Sequence, residues 1–185
     1  MKPIYTYFMI VMIALALVAK FRAISIKKQN VELGNFPIHF VPDNKQGKFL
    51  HRFFRLAKEI ETEYNIPFQV SIAQSGLESF WGESPLAKKY NNYFGVKCRK
   101  HRGRHAPTNC CVNVPDDSVK DRFRRFEYPY EGWRAYAQVL QNERYCKAFQ
   151  ADTPEQFIRE VHKAYYASDP RYSEKVIKII NEYKL

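Results

Sequence analysis

Ile72-Ala73-Gln74-Ser75-Gly76-Leu77-Glu78-Ser79-Phe80-Trp81-Gly82 ends a run whose apolar spacing predicts a helix over 68–81. Val70, Ala73, Leu77 and Phe80 recur at helical intervals and are expected to form a buried stripe. Ser71, Gln74 and Glu78 fall beside it as a polar stripe, and Gly82 is expected to cap the C-terminus. Glu78 thus sits at the negative pole of its helix, with Phe80 and Trp81 as apolar neighbours. Both effects disfavour the carboxylate and raise its pKa, and a carboxyl held neutral near pH 7 is a proton donor.

Outward from this helix the chain divides into helical flanks and a β-rich middle. Upstream, Phe49, Phe53, Leu56 and Ile60 line one face of a helix expected from Lys48, which Asn65-Ile66-Pro67 breaks. Downstream, Ser84 to Tyr90 is a short helix or turn, followed by the strand-like Tyr93-Phe94-Gly95-Val96-Lys97. Cys110 to Val114 and Phe123 to Glu127 are β-rich and flank Pro115-Asp116-Asp117-Ser118, predicting a hairpin with a turn of several residues. Helices return at 131–141, at 155–165 behind the cap pair Thr153-Pro154, and at 172–183. This is an α+β fold, mostly helical with a small β-hairpin lobe.

Composition is compatible with that plan. The 185 residues are 45% hydrophobic and 16% aromatic with 7 Gly, enough apolar material for one core and too little low-complexity sequence for a disordered or fibrous chain. Thirty Lys and Arg against 19 Asp and Glu give a net charge of +11, which favours anionic surroundings. Met1-Lys2-Pro3 precede an uncharged run from Ile4 to Ala19, expected to be an N-terminal hydrophobic helix that acts as a signal peptide or membrane anchor over 1–22. Lys20, Arg22, Lys27 and Lys28 follow it and, by the positive-inside rule, argue for the opposite orientation, so the compartment has to come from the domain. A tether punctuated by Gly and Pro is expected over 23–47, and the domain over 48–185.

Several separated stretches are familiar together. Ile66-Pro67, the stretch from Ile72 to Gly82, Leu86-Ala87 and Asn91-Asn92-Tyr93-Phe94-Gly95-Val96-Lys97 closely resemble the signature of the glucosaminidase domain of glycoside hydrolase family 73, which includes flagellar-type peptidoglycan hydrolases. Phe123-Arg124-Arg125-Phe126 leading into Trp133 is similar to that family's hairpin-to-helix junction. Tyr166-Ala167-Ser168-Asp169-Pro170-Arg171-Tyr172 with Lys175-Val176 is similar to its closing motif. The resemblance implies a lysozyme-like fold and hydrolysis of the β-1,4 bond after N-acetylglucosamine in peptidoglycan, without a cofactor, with Glu78 as general acid. It also implies Tyr166 in the cleft near the acid and Asn92 and Tyr93 on the cleft floor; Gln74 from the polar stripe is a further substrate-side candidate, as are Trp81 and Phe94, for which a place in the core is the alternative. By helical phase Tyr165 is expected in the core with Phe157, Ile158 and Val161, leaving Tyr166 to face elsewhere. Asp169 before Pro170 is expected to cap the last helix.

A glycosidase normally needs a second carboxylate, near if it is a nucleophile and farther if it activates water. Some family members carry a glutamate in the first strand of the lobe, yet 109–114 contains no acid here. Asp116 and Asp117 at the hairpin tip, and Asp121 on the way back, are the substitutes on offer, the tip pair as catalytic candidates against a purely local turn role. That gap leaves open a lytic transglycosylase or muramidase, which also rely on one dominant Glu, and a noncatalytic cell-wall-binding module.

Cys98, Cys110, Cys111 and Cys146 are an even set in a chain expected to be exported, which favours disulfides. Two connectivities remain: Cys98 with either Cys110 or Cys111, and Cys146 with the other. Cys98, His101, His105 and Cys110 have a spacing that suits zinc, but the resemblance implies no metal and the intervening Arg and Lys oppose a cation. Lys97, Arg99, Lys100, Arg102 and Arg104 accompany no nucleic-acid motif, so their expected partner is the carboxylates of peptidoglycan peptides rather than nucleic acid.

Overall fold

The computed structural model describes residues 43–98, 111–113 and 122–185. The Ile4–Ala19 run, most of the expected tether, Asp116, Asp117, His101, His105 and Cys110 lie outside the described residues. Among those described, no helix is long and apolar enough to cross a membrane.

Helix α1, Lys45–Tyr64, begins three residues before the expected Lys48 because Asn44 caps it, its side chain accepting from Gly47 N at 2.9 Å. It ends where expected: Asn65 adopts φ 54° and donates its N–H to Glu61 O, and Ile66 is fully buried. Helix α2, Phe68–Glu78, packs against α1 and against two helices from the end of the chain, α5 (Pro154–Lys163) and α6 (Tyr172–Glu182). Elements on several sides bury Val70 through Gly76 without a break, so the polar stripe goes inside along with the apolar one. Helix α3, Pro85–Tyr90, starts at a Ser84 cap. Helix α4, Pro129–Leu140, sends fully buried Trp133, Tyr136 and Leu140 into the core. A 3₁₀ helix over Glu143–Gln150, which has no signature in the helical period, buries Tyr145 and Ala148.

The β-lobe is a two-stranded antiparallel sheet, β1 (Cys111–Asn113) against β2 (Arg122–Arg124), with Val112 opposite Phe123. The strand-like stretch after Tyr93 runs along the other edge of β2: Arg124 N donates to Val96 O at 2.9 Å and Cys98 N to Arg122 O at 2.7 Å. A disulfide joins Cys98 to Cys111 of β1, with their Cα atoms 6.2 Å apart. This is one of the two partners open to Cys98. Cys146 carries a free, exposed thiol, which corrects the second expected bridge; Cys110, the partner expected for it, lies outside the described residues.

Two further expectations are corrected. Helix α2 ends at Glu78 rather than Trp81, because buried Ser79 turns the chain: its Oγ donates to Ser75 O at 2.6 Å and accepts from Gly82 N at 2.8 Å. Phe80, Trp81 and Gly82 all adopt positive φ, so Gly82 closes this turn rather than capping the helix, and Phe80 is thrown outward to 73% exposure instead of completing the buried stripe. The reversal folds Trp81 back over Gly76, where an added Cβ would meet the indole at 2.8 Å. Likewise α5 stops at Lys163, and Tyr165, at φ 58°, is 87% exposed instead of in the core. In both places the left-handed turn breaks the helical phase from which burial was inferred.

Candidate active site

Glu78 ends α2, Gln74 lies one turn before it, and Tyr172 opens α6. Asp169 makes the approach to α6: its Oδ1 accepts from Arg171 N at 2.9 Å, its main-chain O accepts from Tyr172 N at 3.0 Å, and its Oδ2 pairs with Lys175. Asp169 therefore shapes the turn that presents Tyr172, while the cap position itself is Arg171. Lys175 and the Arg171 N–H hold the Asp169 carboxyl below its ordinary range.

A buried hydrogen-bonded line connects these elements. Tyr172 donates to Glu78 Oε1 at 2.7 Å; Gln74 Nε2 donates to Tyr172 Oη at 2.7 Å; Tyr136 Oη donates to Gln74 Oε1 at 2.7 Å. Gln74 and Tyr136 are fully buried and Tyr172 is 4% exposed, so water does not compete for the bonds among these three, while Glu78 at the end of the line is half-buried. Burial raises the Glu78 pKa above its ordinary value, and the Tyr172 hydrogen bond opposes that rise. The phenols of Tyr136, Tyr166 and Tyr172 are pushed well above 10 by burial first, so each remains a neutral donor. A carboxyl whose ionisation is opposed by burial, with one oxygen held by Tyr172, is better suited than an ordinary one to keep a proton and then give it up.

The predicted site residues divide between this line and the packing around it. Gln74 belongs to the line, but its amide is spent between two tyrosines. The Tyr166 ring stands 5.7 Å from that of Tyr172 and 6.4 Å from that of Tyr136, beside the acid's partner. Phe94 is buried and stacks on Tyr136, with centroids 3.9 Å apart. Tyr93 is buried against Phe49 and Phe53, and Trp81 lies edge-on to Phe49 and Tyr183. Buried Asn92 ties the lobe to the helices: its Nδ2 donates to Val96 O at 3.0 Å and Arg124 O at 2.9 Å, and its Oδ1 accepts from Val96 N at 2.9 Å. Asp116 and Asp117 fall outside the described residues.

Tyr172 and Tyr136 are the residues that sequence reasoning missed. Tyr172 ends the same motif that contains Tyr166, and its signal in the sequence is its place at the first position of a helix after Asp-Pro-Arg. Tyr136 carried only a core signal, since a phase pattern places a ring inside without saying what its hydroxyl meets. Among the described residues no cluster of His, Cys, Asp or Glu is arranged to hold a metal ion, and the sulfur of Cys98 is committed to Cys111.

The comparisons with known proteins agree with one another. The profile of the glucosaminidase family, mannosyl-glycoprotein endo-beta-N-acetylglucosaminidase, matches residues 54–185. Exo-glucosaminidase LytG of Bacillus subtilis is 27% identical over 150 residues, 77% of this chain and 53% of its own length. Peptidoglycan hydrolase FlgJ of Salmonella typhimurium is 30% identical over 144 residues, 74% of this chain and 46% of its own length. This chain thus spans about half the length of either relative. The solved glycoside hydrolase domain of that FlgJ superposes with a TM-score of 0.60 at 28% identity, covering 75% of this chain and 88% of the domain. The catalytic domain of the autolysin Auto of Listeria monocytogenes superposes with a TM-score of 0.63 at 25% identity, covering 77% of this chain and 86% of that one. The mostly helical architecture with a two-stranded sheet is shared with these domains.

Proposed function

This chain belongs to the glucosaminidase family, and from that membership we propose that it is a peptidoglycan hydrolase cleaving the β-1,4 glycosidic bond after N-acetylglucosamine, with Glu78 as general acid. The observation that carries the reading is half-buried Glu78 at the end of α2, with its pKa raised by burial and Oε1 held by Tyr172. Protonation of the leaving glycosidic oxygen by such a group lowers the cost of breaking the bond, and a raised pKa keeps the proton available near neutrality. Tyr166, whose ring lies against Tyr172, is the proposed wall for the sugar beside the acid. Asp116 and Asp117 are the proposed source of the second carboxylate, supported by the absence of any acid over 109–114. The proposed setting is outside the cytoplasm, with the domain held at the membrane by the uncharged run from Ile4 to Ala19. A disulfide within the lobe supports an oxidising compartment.

The test is digestion of purified sacculi by wild type and Glu78→Gln, with mass spectrometry of the products. Glu78→Gln keeps the shape and removes the transferable proton, so a loss of at least about 100-fold in rate is expected with the fold intact. Wild-type products ending in reducing N-acetylglucosamine support the reading. Reducing muramic ends or anhydro sugars would replace it with a muramidase or a lytic transglycosylase, and an active Gln variant would remove Glu78 as the acid.

A further inference from the structure

Two arrangements of hydrogens satisfy the distances along Tyr136, Gln74, Tyr172 and Glu78, and they place the acid's proton on different oxygens. In the first, Tyr136 donates to the Gln74 carbonyl oxygen, the Gln74 amide donates to Tyr172, and Tyr172 donates to Glu78 Oε1. Oε1 is then an acceptor, so the proton of neutral Glu78 resides on Oε2. In the second, the Gln74 amide is flipped: it donates to Tyr136 and accepts from Tyr172, and Tyr172 accepts from a proton on Glu78 Oε1. That proton points into the protein.

The second arrangement has a defect that the first lacks. It aims the Tyr136 hydrogen away from Gln74, and among the described residues no other acceptor is bonded to this fully buried hydroxyl. A buried donor without an acceptor has given up its bond to water and gained none in return, which favours the first arrangement at equilibrium. The first arrangement also serves both ionisation states, since Tyr172 can donate to Oε1 whether or not Oε2 carries a proton. The titratable groups facing the line are the phenols of Tyr136 from α4, Tyr166 after α5, Tyr172 from α6 and Tyr145 behind them from the 3₁₀ helix, with the His162 ring 5.8 Å from that of Tyr172.

We propose that Gln74 and Tyr136 are positioning residues for the acid: by fixing the direction of the Tyr172 hydroxyl they confine the transferable proton of Glu78 to Oε2. The inference rests on Glu78 being the acid of the proposed hydrolase. Tyr136 is bonded to Gln74 rather than to Glu78 and acts through two intermediaries. Removing its hydroxyl frees the amide to flip, admits the inward-pointing proton, and withdraws the donor that stabilises the carboxylate.

The experiment uses the full chain labelled with ¹³C at glutamate carboxyl carbons, the Glu78 signal being the one that Glu78→Gln abolishes, alongside pH–rate profiles on purified peptidoglycan. Tyr172→Phe is expected to raise the Glu78 titration midpoint and the alkaline limb of the profile by about one pH unit, the worth of one hydrogen bond to a charged group. Tyr136→Phe is expected to shift both in the same direction by a smaller amount and to lower kcat severalfold. The double variant should shift no further than Tyr172→Phe alone, since Tyr136 acts only through Tyr172. Should Tyr136→Phe fail to fold, Gln74→Met carries the same expectation. An unchanged Glu78 titration in a folded Tyr136→Phe, or fully additive shifts, overturns the proposal and leaves these side chains as packing. Shifts in the carbon titration with an inactive wild type uphold the positioning and sink the substrate assignment instead.

Discussion

Glu78 is a carboxyl whose ionisation the fold opposes, and that opposition has a consequence for stability. Its folded pKa is raised above the ordinary value near 4.5, chiefly by burial. Across the interval between those two values the folded chain holds a proton that the unfolded chain has released, so stability falls as pH rises through it. Each tenfold gain in proton affinity of the folded group corresponds to about 1.4 kcal/mol lost once both states are ionised. Glu78→Gln carries no such penalty, and its amide oxygen can still accept from Tyr172. The variant is therefore expected to melt above wild type at pH 8 and to match it near pH 4, as thermal unfolding across pH would record. A difference that does not change with pH would mean that burial does not set the Glu78 equilibrium.

Among the elements, the β-lobe is the one least supported by hydrophobic packing: two three-residue strands and one edge stretch, joined by Cys98–Cys111 at a sequence separation of 13. Closing a loop of that size removes unfolded-state entropy worth about 3 kcal/mol in the chain-entropy account. Cys111→Ala is expected to speed amide exchange in β2 by at least tenfold while leaving α2 protected, whereas Cys146→Ser, on an exposed thiol, should change neither. Equal loss of protection in both elements would place the bridge's effect on the whole core instead. The elements also show where sequence reading reaches its limit. Periodicity located the helices around Phe53, Trp133 and Val176 because each has one buried face. It failed at Phe80 and Tyr165, where positive φ reorients a side chain that the pattern had placed inside. It missed the helix over Glu143–Gln150, since three residues per turn do not follow the 3.6 rule. Glu78 was legible because its motif is local. Its partners were not, because the bonds from Tyr172 to Glu78 and from Tyr136 to Gln74 span sequence separations of 94 and 62, and only the fold brings them together.

The molecule as a whole carries a large excess of positive charge. A net charge of +11 on 185 residues includes Lys97, Arg99, Lys100, Arg102 and Arg104 within eight positions of the lobe sequence. The proposed substrate is a polymer bearing peptide carboxylates, so attraction between the two raises the encounter rate without deciding which bond is cut. Such attraction is screened: the Debye length falls from about 10 Å at 0.1 M salt to about 3 Å at 1 M. The acid itself is largely shielded from that effect, since Glu78 is half-buried and the Tyr172–Gln74–Tyr136 line behind it is buried. Salt should therefore act on capture and spare the chemical step. On intact sacculi kcat/KM is expected to fall severalfold between about 0.05 and 0.5 M salt with kcat nearly constant. On soluble, uncharged N-acetylglucosamine oligomers neither constant should move. Replacing Arg99, Lys100, Arg102 and Arg104 with Gln should reproduce the high-salt behaviour at low salt. If kcat falls with salt on both substrates alike, the charge is serving the cleft or the fold, and its role as a guide toward the wall is wrong.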